Sequence, residues 1–189
     1  MNTTSTVKIL KGPTIMLRSG EYFDLEDPDS SVFDIEDIAH ALSNICRYTG
    51  HCTDFYSVAQ HSVLVSYAVP PADALAGLLH DAPEAFVGDV SKPLKILLPD
   101  YKQVERRVEL AVFRRFGLPD ELPDTVKHAD RVLLRTEQRD LMNADAHTWL
   151  FTGGVYPLER RIVPLSPREA RAEFLERYRE LTMLEAVGA

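Results

Sequence analysis

The chain has 189 residues, of which 45% are apolar and 26% charged. That is the composition of a folded protein of about one-domain length and excludes a disordered polymer. Lysine and arginine total 21 against 29 acidic residues, a net charge of −8, which repels a polyphosphate backbone and argues against nucleic acid as a partner.

The longest apolar run, Ala74–Leu79, falls far short of the roughly 20 residues that cross a bilayer. Met1–Gly12 has no continuous hydrophobic segment, so neither a secretory signal nor a membrane partner is expected. Two cysteines, Cys46 and Cys52, are too few for a disulfide scaffold and fit free thiols in the cytoplasm. With no repeat or low-complexity tract, the chain reads as a single domain over 1–189, with a hairpin-bearing N-terminal segment over 1–30 and a helical core over 31–189.

Around Ser19-Gly20, the β-branched and aromatic residues of Thr14–Leu25 predict a small hairpin. From Asp34, a capping residue, Ile35, Ile38, Ala39, Leu42, Ile45 and Cys46 recur at helical spacing, with Glu36, His40, Ser43 and Arg47 on another side of the same helix. Ser57 and Gln60 have capping-box spacing and open a second helix that carries His61 and stops near Pro70-Pro71. A third starts near Ala72 and reaches His80-Asp81, where Pro83 forces a kink or a fresh start and Gly88 permits a stop. Further helices are expected over Tyr101–Phe116, ended by Gly117, and from Asp124 past Asp140. The last is opened by Ser166, Pro167 and Glu169 and runs beyond Tyr178. The predicted fold class is all-α, a helical bundle with a small N-terminal β-hairpin.

His61, His80, Asp81 and Asp130 are two imidazoles and two carboxylates set among mainly apolar helical neighbours. Asp130 has Val126 and Lys127 one turn before it and Leu133 and Leu134 one turn after. Burying an ionised carboxylate there costs several kcal/mol unless a cation or hydrogen bonds compensate. Taken singly, each histidine reads as a hydrogen-bonded helical residue and Asp130 as half of a salt bridge. Taken together, imidazole and carboxylate without thiolate suit a divalent ion such as zinc, manganese, cobalt or iron, with magnesium as a further candidate, in a site with open coordination positions. His51, in a loop, and His128, two residues before Asp130, do not extend the set. The acid seven residues past Asp130, Glu137, with Arg131, Arg135 and Arg139, reads as a charged helix flank, a solvated face or an oligomer contact.

This His, His-Asp, Asp order resembles the signature of the HD-domain metal-dependent phosphohydrolases. The segments Asp37–Tyr48 (DIAHALSNICRY), Phe55–His61 (FYSVAQH) and Leu79–Lys95 (LHDAPEAFVGDVSKPLK) are similar to those of the small bacterial and prophage 5′-deoxynucleotidases, and the likeness runs from near Leu17 to about Leu181. The resemblance implies an HD-type bundle in which one divalent ion is held by His61, His80, Asp81 and Asp130. It assigns Glu84 as the general acid/base, Arg47 to the substrate phosphate and Asp89 to the sugar 3′-hydroxyl. Where such enzymes carry a tryptophan on the 2′ side of the sugar, this chain has Tyr48, which leaves ribose discrimination open. Lys92 and Lys95, just past the Gly88-Asp89 loop, are candidates for phosphate neutralisation.

The expected activity is hydrolysis of deoxynucleoside 5′-monophosphates by a homo-oligomeric enzyme. The alternatives are a deoxynucleoside triphosphate triphosphohydrolase, for example one acting on dATP, and, from another class, a non-catalytic nucleotide sensor. The chain has no G-x-x-x-x-G-K-[ST] loop to support the usual triphosphatase route.

Overall fold

The residues flanking Ser19-Gly20 pair as an antiparallel hairpin in the computed structural model, β1 (Thr14–Met16) against β2 (Tyr22–Asp24), with Ile15 opposite Phe23. The structure describes residues 12–143 and 153–188, so the start of the N-terminal segment, including most of Met1–Gly12, lies outside the described residues. Phe23 is fully buried. It stacks on Phe86 with ring centroids 3.9 Å apart, and Phe33 meets both rings edge-on. The hairpin is therefore a wall of the core, and it braces the helix that bears Phe86.

The helices follow in chain order: α1 (Ile35–Asn44), α2 (Val58–Ala68), α3 (Ala74–Leu79), α4 (Glu84–Val87), α5 (Lys92–Leu97), α6 (Pro99–Arg115), α7 (Asp124–Leu141) and α8 (Pro167–Gly188). The predicted all-α class with a β-hairpin is the observed one. Asp34 caps α1 by accepting from the Asp37 amide at 3.0 Å. Ser166 and Glu169 close a reciprocal capping box at the start of α8. At α2 only half of the predicted box forms. Ser57 Oγ accepts from the Gln60 amide at 3.2 Å, but the Gln60 side chain instead donates to the Val163 carbonyl and accepts from the Leu165 amide. It thus holds the approach to α8 against α2.

Helix α2 is the centre of the bundle, packed by α1, α3, α7 and α8. It is buried nearly all round, from Val58 through Ser66 apart from Leu64, so it has no polar face on which to leave His61. Helix α3 lies close against it because Gly77 has no side chain: a Cβ there would sit 3.1 Å from Ser66 Cα and from Val69 Cγ2. Ile38, Leu42, Leu78, Leu79, Phe86, Phe113 and Phe174 fill the main core, and Val65, Ala76, Val126, Ala129 and Leu133 fill a second cluster between α2, α3 and α7. Among the described residues no helix is long and apolar enough to cross a membrane.

Candidate metal centre

Three elements converge beside the middle of α2. The first turns of α2 supply His61, the turn after α3 supplies His80 and Asp81, and α7 supplies Asp130. Ligand atoms of His61, His80 and Asp130 lie within 4.8 Å of one another. His61 Nε2 is 3.3 Å from both His80 Nε2 and Asp130 Oδ1. Asp81 Oδ2 lies 3.5 Å from His61 Nε2 and 3.3 Å from His80 Nε2. The structure brings His61, His80 and Asp130 into a group that can hold a metal ion, and places Asp81 beside the two histidines but outside that group.

The opposite ring nitrogens fix which atoms face inward. His80 Nδ1 is 2.9 Å from the Gly77 carbonyl, and a carbonyl only accepts, so this nitrogen carries the proton and Nε2 is bare. His61 Nδ1 is 2.5 Å from Glu137 Oε1, a carboxylate that imposes the same tautomer. Gly77 thus serves twice, letting α3 approach α2 and orienting His80. Burial and the Arg47 charge depress the His61 pKa, but Glu137 and Asp130 override them and push it up to about 9. Without a cation, this acidic environment draws a proton on to the imidazole. Asp81 goes the other way: burial would raise its pKa, yet His80, His61 and Arg47 hold it well below the carboxylate range.

Arg47 departs from the expected position. Its spacing from Glu36, His40 and Ser43 continues a helical period, but α1 ends at Asn44. The chain then pairs with the approach to α2, Arg47 N donating to the Tyr56 carbonyl at 2.9 Å and Val58 N to Ile45 at 3.1 Å. Arg47 so opens a tight turn in which Tyr48 and Thr49 both take φ of 55°, a left-handed conformation that costs roughly 1–2 kcal/mol per residue. From this turn the guanidinium reaches Glu137 Oε2 through Nε and Nη2, 3.3 Å each, and Asp81 Oδ2 through Nη1 at 3.4 Å. The Tyr48 hydroxyl also donates to Glu137, so its polar end is turned inward.

Glu137 itself corrects the reading of a solvated flank: it is fully buried. The signal was its position two helical turns past Asp130, which puts both on one face of α7. Arg139 beside it binds Asp140 and the Leu158 carbonyl. His51 and His128 are exposed and outside the metal cluster.

On the outer side an open cleft of about 460 Å³ is lined by His80, Asp81, Glu84, Lys95 and Asp130 and continues past Lys102, Glu105 and Arg106. Glu84 opens α4 and is 8% exposed, with Oε2 buried and lacking a hydrogen-bond partner among the described residues. Burial, then the Asp81 and Asp89 charges, raise its pKa well above the usual carboxylate value. Lys95 Nζ lies 3.8 Å from Glu84 and 2.5 Å from Glu105. Asp89 follows Gly88, whose φ of 80° ends α4. It is half-buried, and burial raises its pKa against the pull of Arg47. Lys92 is exposed at the start of α5 and is not among the cleft residues.

No protein-family model matches the chain. It is 42% identical over 167 residues to the uncharacterized protein YfdR of Escherichia coli, covering 88% of this chain and 94% of that one. An uncharacterized protein of Rhodobacter capsulatus is 37% identical over 181 residues, 86% of this chain and 92% of its own length. The chain belongs to the family these proteins form.

Proposed function

We propose that the protein is a metal-dependent phosphohydrolase that converts deoxynucleoside 5′-monophosphates to deoxynucleoside and phosphate. The observation that carries the reading is the pairing of a centre of imidazole nitrogens and carboxylates with a buried carboxyl, Glu84, on the cleft beside it, one oxygen of which has no hydrogen-bond partner among the described residues. A sensor needs the first but has no use for the second.

His61, His80, Asp81 and Asp130 would hold one divalent ion, cobalt, manganese or zinc by their chemistry, with magnesium also compatible. When bound, such an ion lowers the pKa of water and polarises a phosphoryl oxygen. Glu84, whose pKa is raised by burial and by the Asp81 and Asp89 charges, would donate a proton to the departing sugar oxygen. Arg47 turns Nη1 toward the centre and stabilises charge on the phosphoryl group. Asp89 receives the sugar hydroxyl, and the ring of Tyr48 borders the sugar. Lys95, beside Glu84, offsets phosphate charge at the cleft, and Lys92 at the start of α5 adds to the field. A second copy of the chain is the expected partner in solution.

The test is phosphate release from a panel of ribo- and deoxyribonucleoside mono- and triphosphates, after chelation and after adding back cobalt, manganese, zinc or magnesium. Release from deoxynucleoside monophosphates that depends on the ion is the expected result. Tripolyphosphate from dATP would replace this reading with the triphosphohydrolase, and tight nucleotide binding without any turnover would replace it with the sensor.

A further inference from the structure

Glu137 has no exposed surface, and everything around its carboxylate is a donor. Oε1 faces His61 Nδ1 at 2.5 Å and the Tyr56 hydroxyl at 2.9 Å. Oε2 faces Arg47 Nε and Nη2 and the Tyr48 hydroxyl. A buried anion survives only when its lone pairs are satisfied, and here they are satisfied by groups with separate tasks. Oε1 serves a residue of the metal cluster and Oε2 serves the arginine directed at Asp81.

We propose that Glu137 is a positioning residue with two independent outputs: one oxygen locks His61 in the tautomer that presents Nε2 to the ion, and the other aims Arg47 at the same centre. The inference rests on the metal-centred reading above. The second output explains the left-handed turn. Tyr48 and Thr49 take φ of 55° where extended or right-handed backbone costs less, and what the turn gains is a guanidinium and a phenol delivered to one buried oxygen. A structural ion pair between Arg47 and Glu137 needs no histidine, and the imidazole on Oε1 is what separates positioning from mere packing.

Glutamine is the informative replacement. It keeps the shape but puts an NH2 where only acceptors are wanted. If the amide nitrogen faces His61, the imidazole must accept at Nδ1 and carry its proton on Nε2, which removes it as a ligand. If it faces Arg47, two donors oppose each other and the guanidinium is displaced.

The decisive experiment uses the full chain loaded with zinc and labelled with 15N-histidine, with zinc affinity measured by competition against a chromophoric chelator. In the unaltered protein a slowly exchanging His61 Nδ1 proton is expected, further downfield than that of His80, whose acceptor is the neutral Gly77 carbonyl. Glu137→Gln should lose or shift that proton and weaken zinc binding about 10- to 100-fold, the usual cost of removing an outer partner of a metal ligand. Unchanged affinity and an unchanged His61 signal in Glu137→Gln would overturn the proposal. So would a zinc-loaded, unaltered protein without the His61 Nδ1 proton, a measurement that does not require the variant to fold. Failure of the unaltered protein to bind zinc, manganese or cobalt at all would instead remove the metal-centred reading beneath it.

Discussion

Two glutamates flank the same centre, both nearly without solvent, and they differ in everything else. Glu137, at 0% exposure, is enclosed by donors, and although burial opposes its charge, Arg47 and His61 hold its pKa below the ordinary value. Glu84, at 8%, has the carboxylates of Asp81 and Asp89 acting on it against the weaker pull of Arg47 and Lys95, a buried oxygen without a hydrogen-bond partner among the described residues, and a raised pKa. Burial pushes both upward, and it prevails at Glu84, where Asp81 and Asp89 add to it, but is overridden at Glu137. The sign is set by whether the surrounding groups are donors or anions. Groups of one chemical type whose environments push their protonation apart are how a site obtains a fixed anion and a mobile proton from the same residue type.

The largest way to break that contrast is to replace the outer glutamate. Glu84→Gln should lower kcat by about 10²- to 10⁴-fold, the range for a lost general acid or base, while zinc affinity stays within about twofold and the fold is unchanged. Glu137→Gln should show the reverse priority, with affinity lost first. A full rate in Glu84→Gln, measured at saturating substrate and metal, would dissolve the distinction between proton carrier and scaffold.

A second substitution probes how the inner side is held. Gly77→Ala places a methyl 3.1 Å from the Ser66 Cα, and backbone cannot rotate away as a side chain can. Overpacking of this kind costs about 1–3 kcal/mol, which thermal unfolding should register. Because the Gly77 carbonyl orients His80, metal affinity should fall with stability. A destabilised variant with undiminished affinity would show that α3 can move without carrying its histidine out of place.

How much of this contrast could be read beforehand follows from locality. His61, His80, Asp81 and Asp130 each stand out as polar positions within apolar helices, and the hairpin, the α1 cap and the α8 capping box are short-range patterns. Arg47 misled because helical spacing persists past the true end of α1. What stops the helix is pairing with Tyr56–Val58, and no local propensity announces it. Glu137 was hidden among Arg131, Arg135 and Arg139, a row that looks solvated. Only the tertiary approach of the Arg47 turn and of α2 turns that side of α7 into interior. The Gln60 side chain failed for the same reason, since its partners at 163 and 165 are remote in sequence.

The contrast has a thermodynamic form, measurable in the chelated protein as unfolding temperature against pH. Glu137 has a lowered folded-state pKa, so its stabilisation is present above the unfolded value near 4.5 and is lost as pH falls through the folded one. Glu84 has a raised pKa, so its contribution is present below the unfolded value and is lost as pH rises through the folded one. Relative to the unaltered protein, Glu137→Gln should therefore be most destabilised above pH 5 and converge with it in acid. Glu84→Gln should gain on it as pH rises. Parallel curves for the two variants would mean that the environments do not differ as the geometry requires.

The smallest expected effect isolates one charge. Lys95 Nζ stands 3.8 Å from Glu84 and is partly exposed, and its attraction is among the influences that lower the Glu84 pKa against burial and the acidic neighbours. Its closer partner is Glu105, so most of its charge is already answered, and solvent screens the remainder. Lys95→Met should move the alkaline limb of the kcat profile to higher pH by a fraction of a unit and raise KM a few-fold, because a cation is lost from the cleft that receives phosphate. The direction is what matters: without the lysine Glu84 is harder to ionise and keeps its proton further into base. A limb displaced toward acid would mean that the group titrating there is not Glu84, and the proton carrier would have to be sought elsewhere on the cleft.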